Sequence, residues 1–284
     1  MTRAFFLYLS QRPGLRRWLE ANPSARRLTR RFIAGETLAD ELAVCAELAA
    51  LRIFTAADHL GENVTDLADA IAAREAYLEA LNEIAARDLP TTLALKLTAL
   101  GLDISEPAAI EHLRTLAQRA KSIGRYVEVD MEDTRYTETT IRIVETIGRE
   151  TGAIRVAIQV YLYRTPADID RLNRAGVMVR LCKGAYIVLA KTLLVAGTYP
   201  AIATHDEAMI DPLLAYIRER KIPPEHFEFE MLHGVRRDLQ SKLAENGYRV
   251  RVYVPYGAQW YRYFMRRLAE RPANVWFLIK NLFR

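Results

Sequence analysis

Short apolar runs alternate along most of the chain with longer segments whose apolar positions recur at helical spacing. Residues 51–57, 93–97, 126–131, 156–162, 177–182, 201–204, 227–232 and 249–254 read as strands. Residues 65–87, 106–122, 138–150, 166–174, 187–196, 207–220, 236–245 and 259–271 read as the helices that follow them. Such alternation predicts a parallel sheet, and eight repeats of it predict a (β/α)8 barrel. The rival, an open doubly wound sheet, lacks a GxGxxG after any strand. Residues 1–50 read as helices punctuated by Pro13 and Pro23, with clear apolar periodicity over 37–51. The expected division is an N-terminal helical extension, 1–50, and a barrel, 51–284, ending in a further outer helix over 274–284.

Composition narrows this little. The chain has 284 residues, 51% of them hydrophobic, enough for one large core. Its formal charge of +5 gives no reason to expect a nucleic-acid partner. Cys45 and Cys182 have no CxxC neighbour, which points to a reducing, cytoplasmic setting without disulfides or zinc. The apolar run 4–9 is too short for a secretory h-region or a membrane span. Arg16, Arg17, Arg26, Arg27, Arg30 and Arg31 read as a polar helical surface, or as a peripheral contact with the inner face of a membrane.

The strand ends, where a barrel places its chemistry, are polar. Lys96 interrupts an apolar strand, so it either has a carboxylate or ligand partner or reaches solvent. Asp130 is a natural partner for it or for an arginine. Gln159 either reads the edge of a heterocycle or satisfies backbone. Arg180 is a fixed cation, expected to be the only arginine at an inner strand end. Lys183, Gly184 and Ala185 open a helix, a combination that favours phosphate. Thr204 and His205 end the sixth strand and Tyr253 the eighth. Glu128, Asp130 and Glu132 share one side of a strand and could instead hold a divalent metal, although the surrounding cations oppose that. No Ser or Cys nucleophile is paired with a base.

The last helix carries Tyr263, Arg266, Arg267 and Glu270 at i, i+3, i+4 and i+7, on one face; Trp260, Phe264 and Leu268 form an opposite apolar stripe. Adjacent arginines beside a tyrosine make a receptor for a carboxylate, with Glu270 steadying one of them; the plainer reading is a solvated basic face.

Taken in order, the segments 95–98, 129–133, 159–165, 180–186, 203–206, 227–232 and 253–274 resemble the proline dehydrogenase family. The resemblance implies a distorted (β/α)8 barrel that binds FAD and oxidises L-proline to 1-pyrroline-5-carboxylate, with a membrane quinone reoxidising the flavin. It places Arg266 and Arg267 on the substrate carboxylate, near Lys96, Tyr253, Tyr263 and Glu270. It makes Asp130, Arg180 and Tyr253 catalytic, with Arg180 close to the flavin. Met131, Gln159, Arg180, Lys183, Gly184, Ala185, Thr204 and His205 would contact FAD.

The sequence departs from the family pattern after Tyr186. Ile187 stands where a glutamate is usual, and residues 187–202 form a much shorter link than the family has. Residues 187–196 can still make a helix of about three turns, so closure of the barrel is expected. The alternative function is an FAD-binding or inactive barrel serving as a binding protein. His233 is a smaller departure, at a position where tyrosine is common.

Overall fold

The computed structural model describes residues 13–22, 29–61, 64–182, 184 and 187–270. Among the described residues, two helices, α1 (Pro13–Ala21) and α2 (Leu38–Ala50), precede the first strand. Thr37 starts α2 with a capping box: its hydroxyl accepts the Asp40 amide at 3.2 Å, and its own amide donates to the Asp40 carboxylate at 3.1 Å. Then come β1 (Phe54–His59), α3 (Leu67–Ala86), β2 (Thr91–Leu95), α4 (Glu106–Ser122), β3 (Val127–Val129), α5 (Thr137–Thr151), β4 (Ile154–Gln159) and α6 (Thr165–Arg174). The second half is β5 (Met178–Cys182), α7 (Ile187–Ala196), β6 (Ala201–Ala203), α8 (Glu207–Arg220), β7 (Glu228–Leu232), α9 (Arg237–Glu245), β8 (Val250–Tyr256) and α10 (Trp260–Glu270). The strands form one closed parallel barrel in chain order, β1 pairing with β8. The short α7 does not prevent closure, since β5 and β6 still pair at Arg180–Ala201 and Leu181–Ile202.

Every strand differs from the sequence expectation at one end or both, and the shifts in β1, β4 and β8 bear most on the site. Leu51 and Arg52 belong to the turn that ends α2, Arg52 with φ 59°, so β1 starts later and runs through Asp58. The fourth strand starts at Ile154 and includes Arg155. The eighth continues to Tyr256. The expected helix over 274–284 lies outside the described residues.

Alternation sorts each strand into two faces. Leu93, Val127, Val129, Val156, Leu181, Phe229 and Val252 face the surrounding helices in the main apolar core. The opposite face turns Glu128, Arg155, Arg180, Glu228, Glu230 and Arg251 into the barrel, all buried. Barrel interiors are ordinarily layers of branched apolar residues; this one is ionic.

A second apolar cluster joins Phe32 and Ile33, before α2, to Leu19, Leu60 and α10 residues Trp260, Tyr263 and Phe264. Backbone bonds fix the entrance of α10: Ala34 donates to Pro255 at 3.0 Å, Gly257 to Gly35 at 3.0 Å, and Leu60 to Tyr256 at 2.7 Å. The Trp260 indole donates to Glu36 at 3.0 Å. At Gly257 the chain turns with φ 122°, and a Cβ there would sit 3.2 Å from the Leu60 carbonyl.

Glu41 is fully buried on α2, and neither carboxyl oxygen has a hydrogen-bond partner among the described residues. Burial raises its pKa well above the ordinary value, and the nearby Asp58 charge adds to the shift. The folded chain therefore keeps a proton that the unfolded chain releases above about pH 4.3. Stability associated with Glu41 is present at low pH and lost as pH rises. Glu41→Gln should match the parent near pH 4.5 and be progressively more stable toward pH 8, measured as the difference in Tm. A pH-independent difference would contradict this.

Candidate active site

Two ionic layers fill the barrel. Toward the N-terminal ends of the strands, Glu228 on β7 is the centre. Arg251 holds it with two bonds, Nε to Oε1 at 2.6 Å and Nη2 to Oε2 at 3.1 Å. Arg155 contacts Oε1, and the Tyr199 hydroxyl donates to Oε2 at 2.7 Å. Although burial opposes ionisation, the two guanidinium groups hold the Glu228 carboxyl far below the usual carboxylate range. The Arg155 guanidinium lies against both the Tyr126 and Tyr199 rings, 4.6 and 5.2 Å from their centroids.

Toward the C-terminal ends, Arg180 on β5 is the hub. Its Nη1 donates to Glu230 at 2.8 Å and to Glu128 at 3.1 Å, and its Nη2 donates to Asp130. The guanidinium lies over the Tyr253 ring, 5.0 Å from its centroid. The Tyr253 hydroxyl donates to the second Asp130 oxygen at 2.8 Å. Asp130 thus pairs with an arginine, the second of the two partners expected for it. The field of Lys96 falls on Asp58 at the end of β1, a carboxyl that is 3% exposed and that also lies beside the Tyr253 hydroxyl. Burial pushes Asp58 up to about 6, against Lys96 and with the help of Asp130. Burial likewise pushes the Glu230 carboxyl upward, while the Arg180 guanidinium beside it pulls the other way. Burial lowers His233, beside this end of β7, to about 4, so it is neutral at pH 7.

The ring order divides the C-terminal mouth. Asp58 and Tyr253 lie on the adjacent strands β1 and β8, and Lys96, expected inside the second strand, directly follows the end of β2. Gln159, Gly184, Thr204 and His205 follow β4, β5 and β6 on the opposite side. The Tyr161 hydroxyl donates to the Gln159 amide oxygen. His205 Nε2 accepts the Leu232 amide at 2.8 Å, which fixes its ring. Met131, partly buried, follows Asp130 between the two sides. Arg180 reaches across the barrel from one side to the other.

Several expectations change. Arg180 is not alone: Arg155 and Arg251 also point inward, at the other end of the barrel. Arg155 escaped because the strand was expected to begin one residue after it. Glu128, Asp130 and Glu132 do not converge; Glu132 lies beyond the strand and accepts the Thr98 amide and hydroxyl at 3.2 and 2.5 Å. Glu128, Glu228 and Glu230 come together instead, and guanidinium groups lie among them in the position a cation would need. Tyr263, expected on the polar face of α10, packs into the apolar cluster with Phe32 and Ile33, because segment 29–36 covers that helix. Lys183, Ala185 and the side chains of Arg266, Arg267 and Glu270 lie outside the described residues. Asp58, Glu228 and Glu230 were overlooked. The Glu-Phe-Glu alternation in 228–230 was the available signal, whereas Asp58 was placed beyond its strand. A cavity of about 240 Å³ lined by Phe54, Tyr126, Tyr199, Arg249 and Arg251 opens at the N-terminal end of the barrel, opposite the Arg180 layer.

Removing Glu228 leaves two buried guanidinium groups without their main counter-ion. Glu228→Gln should cost about 3–5 kcal/mol, read from urea unfolding; a loss below about 1 kcal/mol would mean that Glu128 and Glu230 replace it.

The sequence model of proline dehydrogenase matches residues 42–193 and 189–280. The match divides within α7, where the link is short. The chain is 38% identical to Proline dehydrogenase 1 of Bacillus subtilis over the full length of both. That alignment runs to 302 positions against 284 residues, so parts of the relative have no counterpart here. It is 32% identical to the proline dehydrogenase of Deinococcus radiodurans, over 90% of each chain. A solved structure of proline utilization A from Bdellovibrio bacteriovorus, inactivated by N-propargylglycine, superposes with a TM-score of 0.79 at 23% identity. The match covers 87% of this chain and 33% of that one, and it supports the fold. Among the described residues no helix is long and apolar enough to cross a membrane.

Proposed function

The chain belongs to the proline dehydrogenase family, and from that premise we propose that it oxidises L-proline to 1-pyrroline-5-carboxylate with FAD as cofactor and a quinone as final acceptor. The observation that supports this reading best is the divided mouth: charged groups of β1, β2 and β8 face the polar ends of β4 to β6, with Arg180 between them.

The cofactor side fits a large planar ligand. Gln159 stands at the end of β4, Gly184 has φ 138°, and Tyr161, Tyr163 and Val188 are large apolar side chains exposed around it. A bound flavin would cover such surface. Met131, Gln159, Thr204 and His205 would contact the ring and ribityl chain, and Lys183, Gly184 and Ala185 the phosphates at the start of α7. When bound, FAD supplies the two-electron acceptor. The protein's part is orientation and charge. Arg266 and Arg267 would clamp the proline carboxylate beside Lys96, with Glu270 steadying the arginines and Tyr253 and Tyr263 bounding the ring. Arg180, held as a cation by three carboxylates, would favour negative charge on the reduced flavin. The residues up to 50 brace α10 through Phe32, Ile33 and Glu36, which suits a helical extension whose task is to seat the substrate helix. The basic N-terminal segment would serve a peripheral membrane contact through which a quinone is reached.

Purified protein should be yellow and should bleach when proline is added without oxygen. A colourless protein that takes up no FAD would defeat the proposal. FAD binding without bleaching would favour a binding protein, for which the short link at α7 is the specific motive. Arg266→Met or Arg267→Met should weaken proline binding and leave the flavin in place, read from the KM and the 450 nm absorbance; loss of FAD would reverse that assignment. Arg180→Met should lower the flavin potential and also the Tm, because Glu128, Asp130 and Glu230 lose a shared partner. Arg180→Lys should recover part of both. An unchanged potential with a lowered Tm would leave Arg180 a structural role only.

A further inference from the structure

We propose that Asp58 is the catalytic base of this site, the carboxylate that takes a proton from the substrate's ring nitrogen. The inference rests on the function proposed above.

Proline at neutral pH carries a protonated secondary amine, whose nitrogen has no electron pair to donate. A hydrogen can leave the neighbouring ring carbon with its electrons only as nitrogen forms a second bond to that carbon. An N–H bond must therefore break first or at the same time. Its proton passes to a carboxylate oxygen of Asp58. The pair left on nitrogen becomes the new C=N bond, and the C–H pair goes to the flavin. The product is the cyclic iminium carboxylate, poorer than the substrate ammonium by one proton and one hydride, that is, by two protons and two electrons.

The candidates for that base can be compared one by one. Asp130 already receives the Arg180 guanidinium and the Tyr253 hydroxyl. Glu128 is engaged by Arg180 and Thr92, and Glu132 by Thr98. Glu230 bonds Arg180, and its other oxygen, fully buried and without a hydrogen-bond partner among the described residues, lies 3.8 Å from the Arg155 guanidinium. Asp58 forms no ion pair with an arginine among the described residues, yet it stands at the C-terminal end of β1 beside the Tyr253 hydroxyl. It is thus a strand-end carboxylate at the mouth that no arginine holds among the described residues.

Its surroundings match the task. The charges acting on it are the cations Lys96 and Arg180 and the carboxyls Asp130 and Glu41. The hydroxyls of Tyr77, Tyr253 and Tyr256 also lie within its field. Burial and Asp130 make the carboxylate more basic, while Lys96 keeps it ionisable, and the balance lies near 6. A general base works best with a pKa near the operating pH. The Tyr253 hydroxyl, facing both Asp58 and Asp130, can follow the proton by turning from one to the other.

The test is the anaerobic rate of flavin reduction by proline against pH, in the FAD-loaded enzyme. The parent should lose rate as pH falls through the titration of Asp58 near 6. Asp58→Asn should slow reduction by roughly 10²–10⁴-fold and abolish that acid limb. Its binding of cyclopentanecarboxylate, a ring of the same shape with no nitrogen, should stay within about threefold of the parent, read from the flavin spectrum. Asp58→Glu should restore part of the rate and an acid limb. Lys96 is the rival base: Lys96→Met should move the limb to higher pH if Asp58 is the acceptor, and abolish it if the lysine is. A parent rate without an acid limb near 6, or an Asp58→Asn enzyme with the parent's pH profile, would overturn the inference. If Asp58→Asn does not fold, the parent and Lys96→Met profiles decide alone. A parent that proline fails to bleach would instead defeat the underlying function.

Discussion

The Arg180 guanidinium, shared by Glu128, Asp130 and Glu230, is the interaction on which the mouth of the barrel depends. It ties β5 to β3 and β7 across the interior, so the walls of the site are joined through it as well as through the sheet. A buried guanidinium must be matched by carboxylates, because desolvation makes an unpaired charge several kcal/mol costly. That requirement explains the second layer too, where Arg155 and Arg251 converge on Glu228. An apolar interior of similar volume is often equally stable or more so. The ionic interior therefore makes sense as electrostatic preorganisation: its charges are already oriented before any substrate arrives.

The same arrangement sets the division of labour in the proposed reaction. Carboxylates with an arginine attached supply orientation, while Asp58, beside a lysine and a tyrosine instead, keeps a proton affinity close to neutral. Groups of one chemical type thus acquire different roles through their neighbours alone. Tyr253 connects them, its ring under the guanidinium and its hydroxyl on Asp130.

Much of this was legible in the sequence, and the failures have physical causes. Eight strand–helix units stand out because apolar period changes at each boundary, and α7 and α8 begin and end where periodicity places them. Asp130, Arg180 and Tyr253 were visible as polar residues in apolar strands. Arg155 and Asp58 were not, because each lies at a strand end, where periodicity is weakest and a shift of two or three residues removes it from the inner face. The pairing of Arg155 and Arg251 with Glu228 spans 73 and 23 residues, and only the closed barrel brings these groups together. The burial of Tyr263 was hidden for a related reason: helical spacing shows which residues share a face, and not which faces are covered.

The joining of segment 29–36 to α10 has a consequence for how the molecule assembles. The Trp260–Glu36 bond closes a loop of 224 residues, and the Arg251–Thr55 bond one of 196. Closing a flexible loop of that size costs about 5 kcal/mol of chain entropy, recovered only once β8 has docked between β1 and β7. During synthesis the early strands can pair with their neighbours as they emerge, but the helix proposed to receive the substrate has nothing to seat against until the last strand is in place. The ring closes from its two ends, and the substrate-facing wall is the final part to form.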